Sequence, residues 1–156
     1  MNAVLKELHH ETSGPTLTQV YATNGAIVSD FTEPQILLDP ETIYGAITSK
    51  NGFGIQHETL TALQNRSSIG IRFSTATEGR PYSLAIRLRE QGYQGELHAL
   101  GNLNQEIVHH LIRVGFTHFH LARTTGPQID PTILTPFGGR YQQTFVEFQP
   151  ALERVI

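Results

Sequence analysis

Between Ile69 and Leu121 the chain reads IGIRFSTATEGRPYSLAIRLREQGYQGELHALGNLNQEIVHHLIRVGFTHFHL, three short apolar runs alternating with two longer amphipathic ones. Short apolar runs bounded by glycines read as strands, and stretches with apolar residues three and four apart read as helices. The segment is therefore a βαβαβ unit. That rhythm calls for parallel strands joined by right-handed crossovers. It predicts an α/β fold: a single domain with a parallel βαβαβ core, either an open three-layer sheet or part of a barrel, plus an N-terminal β-hairpin.

Local chemistry sets the boundaries inside this unit. Pro81 suits a first helical turn. Leu84, Ala85 and Leu88 then fall on one face, with Arg87 and Glu90 pointing away. Gly92 closes that helix and Gly95 opens a strand over 96–100. Asn102, with Gln105 three residues later, fits a capping box for the second helix. Leu103, Ile107, Leu111 and Val114 form its apolar stripe, widened by Val108 and Ile112. Gly115 ends it as a C′ glycine does.

Residues 1–15 read as a flexible lead-in, 16–148 as the domain and 149–156 as a tail. Asn24-Gly25 between two β-rich runs predicts a hairpin with a type I′ turn. Residues 36–38 suit another strand. Asp39 is a candidate N-cap with Pro40 at the first helical position. Ile43, Tyr44, Ala46 and Ile47 would be that helix's buried face, ended by Asn51-Gly52. A strand over 53–56 and a helix over 57–64, with Leu60 and Leu63 inward, lead into a strand over 68–74. After Arg123 the chain turns irregular, and 141–148 reads as a late strand. Phe73, Tyr93, Phe116 and Phe119 read as core. Phe137, Tyr141, Phe145 and Phe148 in the tail suit either core packing or an interface, a homodimer included.

Composition narrows the function. A chain of 156 residues buries roughly two thirds of its unfolded surface. A net charge of −3 without a basic cluster argues against a nucleic-acid partner. No apolar run approaches the ~20 residues of a membrane span, and the first residues lack a secretory apolar region, so the expected location is cytoplasmic. With no cysteine, thiol catalysis, iron–sulfur ligation and cysteinyl zinc sites are excluded.

Ligands of open parallel sheets gather at the carboxyl ends of the strands. Two loops reach that edge here, residues 74–80 and Gly101-Asn102. A helix N-terminus with the Arg80 guanidinium suits a small anion, and Tyr82 and Ser83 add hydroxyls. The anion- or substrate-binding candidates are Glu78, Gly79, Arg80, Tyr82, Ser83, His98, Gly101 and Asn102. In the alternative arrangement Glu78 and Arg80 pair across the turn, Tyr82 packs in the core and Ser83 is solvated. Among the eight histidines, His118 and His120 alternate on one face of a strand, opposite Phe119 and Leu121. With His98 they form a candidate metal triad, although strand histidines under a helix more often serve packing. Helical phase puts His109 on the polar arc beside Glu106 and Arg113. No GxGxxG follows a strand, and Gly138-Gly139 comes too late, so no tightly bound cofactor is expected.

The motifs EGRPYS, GYQGELHALG and RVGFTHF occur in that order within 78–119 and resemble the bacterial family catalogued as domain of unknown function 934. The resemblance extends from Leu17 to about Gln142 and is specific over 69–121. It implies an accessory protein of assimilatory sulfate or sulfite reduction, partnered by sulfite reductase or a related sulfur-assimilation enzyme. Glu78 stands where that family usually has aspartate, His98 where it often has arginine, and Asn102 where it has aspartate. These changes make strict acid–base catalysis at those positions less expected. The competing expectation is a small enzyme, possibly an oxidoreductase, on which Arg80 holds an anionic substrate while Tyr82 or His98 handles protons.

Overall fold

The computed structural model describes residues 6–7, 18–30, 33–45, 57–122 and 129. Among them, β1 (Lys6–Glu7), β2 (Thr18–Ala22), β3 (Ile36–Leu38), β4 (Ser68–Phe73), β5 (Glu96–Gly101) and β6 (His118–Ala122) form one sheet in the order β1-β3-β4-β5-β6-β2. Two helices, α1 (Pro40–Gly45) and α2 (His57–Gln64), separate β3 from β4, and α3 (Arg80–Glu90) separates β4 from β5. A 3-10 turn (Gln105–Ile107) running into α4 (Val108–Arg113) joins β5 to β6.

Strands β3 to β6 are parallel and lie in sequence order, while β1 and β2 add antiparallel edges. A sheet whose order never reverses winds one way, so right-handed crossovers bring its helices to one face. The packing agrees. Ile36, Leu38, Ile69, Ile71, Phe73, Leu97, Ala99, Phe119 and Leu121 share one buried cluster with Ile43 of α1, Leu63 of α2, Leu84 and Leu88 of α3, and Leu111 of α4. This is the winding of a barrel segment rather than of a doubly wound sandwich. The period of two turns the alternate residues Gly70, His98, His118 and His120 to the opposite face.

The helix ends follow the sequence closely. Asp39 caps α1, accepting the Glu41 N–H at 3.1 Å. Helix α3 ends in paired bonds from Gly92 to Arg89 O and from Tyr93 to Leu88 O. The same pattern ends α4, from Gly115 to Ile112 O and from Phe116 to Leu111 O. Both are Schellman ends, and each carries its following aromatic residue, Tyr93 or Phe116, into the core.

Three expectations change. In the hairpin, Gly25 N–H donates to Ala22 O and Ala22 N–H to Ala26 O, so the turn centres on Thr23-Asn24 and not on Asn24-Gly25. Gly25 takes the left-handed position of a three-residue loop, at φ 78°. The cap of the β5–β6 connection is Asn104, whose side chain accepts the Ile107 N–H at 3.3 Å, and not Asn102. Starting in a 3-10 turn moves the first helical residue on by two. It also rotates the buried face: Val108, Leu111 and Ile112 are buried, while Leu103, Ile107 and Val114 flank them. Within the lead-in, Lys6–Glu7 pairs with β3. The side chains of Tyr44 and Leu60 are not described, and the segments expected at 46–56 and 137–148 lie outside the described residues.

One residue the sequence reading passed over organises the amino edge of the sheet. Arg89, on the last turn of α3, donates from Nη1 to Tyr93 O at 2.7 Å and to Gly95 O at 2.9 Å. Its Nε and Nη2 reach Gly115 O at 3.0 and 2.6 Å. The turn before β5 and the turn before β6 are thus tied to one guanidinium. Burial lowers its pKa, partly offset by Tyr93, whose ring lies 5.4 Å from the guanidinium carbon.

Candidate functional site

The carboxyl ends of β4 and β5 are neighbours, as the expected site requires. Gly101 has φ 106°, and any Cβ there would strike Phe73 O, so β5 leaves the sheet in contact with the end of β4. Asn102 continues that contact. Its N–H donates to Phe73 O at 3.0 Å and its Nδ2 to Ser74 O at 2.8 Å. The two loops are therefore fastened together, with Asn102 as a clasp.

Inside the β4–α3 loop, Glu78 N–H donates to Thr75 O at 3.2 Å, forming a turn. The Glu78 carboxylate folds back, with Oε2 accepting the Ser74 N–H at 3.4 Å. Its Oε1 lies 2.8 Å from Arg80 Nε, an ionic contact without the alignment of a hydrogen bond. The chain's own carboxylate thus occupies the place expected for a bound anion. Arg80 is 48% exposed, and among the described residues its guanidinium donates no aligned hydrogen bond. Gly79 caps α3 without a side-chain bond.

Tyr82 and Ser83 are engaged locally. Tyr82 OH donates to Ala76 O at 3.3 Å, and its ring meets Phe73 edge-on at 5.4 Å. Burial raises the Tyr82 pKa, which makes the phenol a poorer acid. Ser83 Oγ donates to Gly79 O at 3.3 Å on an exposed turn. His98 does not join this edge. It sits in the middle of β5, fully buried, on the face away from the helices.

There it is the centre of a histidine cluster. His98 Nδ1 lies 2.9 Å from His120 Nε2, and His98 Nε2 lies 3.2 Å from Glu96 Oε2. The His98 and His118 rings stack across β5 and β6, with centroids 4.4 Å apart and planes 7° from parallel. His118 Nδ1 meets Thr117 Oγ1 at 2.9 Å. Burial lowers the His98 pKa, an effect opposed by its bond to Glu96. Burial, with His98 and His118 nearby, pushes His120 down to about 4.

The expected triad was His98, His118 and His120. The residues whose ligand atoms lie within 4.8 Å of one another are instead Glu96, His98 and His118. His120 backs His98 from behind. Glu96 was legible: it stands two residues before His98, on the same face of the same strand. On α4, His109 Nδ1 lies 3.3 Å from Glu106 O, and its ring centroid is 3.6 Å from that of His110. His110 has its pKa lowered by burial and then by His109 and Arg113.

The fold and its clasped loop edge define a singly wound α/β domain with two separate polar clusters. Its sequence places it in a family. The chain belongs to the family described as bacterial protein of unknown function (DUF934), which matches residues 52–152, about two thirds of its length. The match begins and ends later than the span 17–142 expected from the motifs. No curated protein and no solved structure matches the chain. Among the described residues, no helix is long and apolar enough to cross a membrane.

Proposed function

We propose that this chain is a non-catalytic accessory protein of assimilatory sulfate or sulfite reduction, acting in the cytoplasm. It docks on a reductase component through the edge that carries Glu78, Gly79, Arg80 and Asn102. The observation that carries this reading is Arg80, half-exposed at the start of α3 beside a loop that Glu78 and Asn102 hold in shape, with no aligned hydrogen bond from its guanidinium among the described residues. The link to sulfur assimilation rests on the EGRPYS, GYQGELHALG and RVGFTHF motifs.

The Glu78–Arg80 pair is neutral as a unit, so its pull on a free oxyanion is weak. A planar donor fork suits a carboxylate on a protein surface, where shape and several contacts add. This favours a protein partner over a small anion. The enzyme reading has less support, because Tyr82 is bonded to Ala76 O and His98 lies on another face.

The test is binding of tag-free protein to purified reductase components, with thermal shifts in sulfite, sulfate and phosphate at ~100 mM beside it. Ligands of about millimolar affinity raise apparent stability measurably at that concentration. The expected result is binding to a component and little anion shift. A sulfur-oxyanion shift that disappears in Arg80→Ala would make the edge a small-anion site instead. If neither components nor oxyanions bind, the proposal fails.

A further inference from the structure

We infer that the face of the sheet away from the helices holds a divalent transition-metal ion, bound by Glu96, His98 and His118, with His120 orienting His98. This goes beyond the docking reading and uses none of its residues.

The geometry of the three donors supports a site. A tetrahedral ion with donor distances of about 2.0–2.1 Å separates its ligand atoms by about 3.3 Å. His98 Nε2 and Glu96 Oε2 are already 3.2 Å apart. A His118 donor atom lies within 4.8 Å of both. Thr117 Oγ1 engages His118 Nδ1, which leaves Nε2 for the ion. His118 is half-buried and the Glu96 side chain is 53% exposed, so rotation of these two closes the remaining distance.

The environment supports it too. The cluster has a sealed floor, His98 and His120, and an open mouth, Glu96 and His118. Three imidazoles and one carboxylate thus converge where the other strand face carries only apolar side chains. A metal-ligating histidine normally donates its other ring N–H to a fixed acceptor. His98 has that arrangement at hand. With the ion on Nε2, the proton sits on Nδ1 and donates to His120 Nε2, 2.9 Å away. Two nitrogens and one carboxylate oxygen, with no thiolate, suit zinc, cobalt, nickel or copper rather than magnesium or calcium. Three protein ligands leave a fourth position for water or a further ligand.

The experiment is titration of tag-free, chelator-stripped protein with Zn²⁺ by calorimetry and with Co²⁺ by visible absorption. Four variants are compared with the natural sequence: Glu96→Gln, His118→Asn, His120→Gln, and His9→Ala combined with His10→Ala. Glu96 and His118 lie at the mouth, so circular dichroism and melting serve to verify that their variants remain folded. The inference predicts one equivalent of Zn²⁺ per chain and a tetrahedral Co²⁺ spectrum. Affinity falls at least tenfold in Glu96→Gln and His118→Asn, and about 10-fold in His120→Gln with the stoichiometry kept. The His9/His10 variant binds as before. The inference is overturned if no ion binds, if the mouth variants bind unchanged, or if removing His9 and His10 abolishes binding.

Discussion

His98 Nδ1 and His120 Nε2 meet at 2.9 Å across two neighbouring parallel strands, with both rings buried. Burial is the first cause that lowers both pKa values, that of His120 to about 4. The folded protein therefore keeps these imidazoles neutral where the unfolded chain, near 6.5, takes up protons. As pH falls from 6.5 towards 4, the unfolded state binds more protons and stability drops; below that, both states are protonated and the loss levels off. For His120 alone the loss is bounded by roughly 3 kcal/mol. Urea unfolding of metal-free protein between pH 8 and 4 measures it. His120→Gln should flatten the curve, and an unchanged pH slope in that variant would contradict the assignment.

Arg89 donates to Gly115 O, Tyr93 O and Gly95 O at once, joining the turns that precede β5 and β6. Arg89→Met keeps much of the aliphatic stem and removes the fork. It is expected to cost about 3 kcal/mol, because charged hydrogen bonds are lost and carbonyls are left unpaired. For a domain of this size that lowers the melting temperature by roughly 6–12 °C. Arg89→Lys should recover less than half, since an ammonium cannot span the same carbonyls. Full recovery by lysine would show that charge alone matters.

Asn102 holds the two edge loops through its donor to Ser74 O. Removing that donor on an exposed loop costs about 1 kcal/mol in Asn102→Ala. Asn102→Asp should cost at least as much, because a carboxylate only accepts and would face the Ser74 carbonyl. Chemical denaturation distinguishes the outcomes. An aspartate variant as stable as the natural protein would mean that the clasp contributes nothing.

Much of this architecture was legible because local chemistry decided it. Asp39-Pro40, Gly92 and Gly115 fixed helix ends through backbone bonding that depends on nearby residues only. The phase of 84, 85 and 88 placed the buried face of α3, and alternation put His118 and His120 on one face. What was not legible depended on distant pairings. Nothing near Thr18 or Lys6 announces that β2 pairs with β6 or β1 with β3. The Arg89 interactions join turns 26 residues apart from the arginine or reach over a helix end. At the candidate edge, the motif named Arg80 and Asn102 but not the carboxylate of Glu78 folding back into its own loop. Of the two arrangements open to this turn, the chain adopts the pairing of Glu78 with Arg80.

The most direct test of the docking account is the affinity of a purified reductase component for the natural protein, Arg80→Ala and Arg80→Lys, each with its melting temperature measured. Arg80 is half-exposed, so all three should melt within a few degrees of one another. The account predicts that Arg80→Ala weakens binding at least tenfold and that Arg80→Lys recovers little of it, since lysine lacks the planar fork. Equal affinity for the natural protein and Arg80→Ala would contradict it.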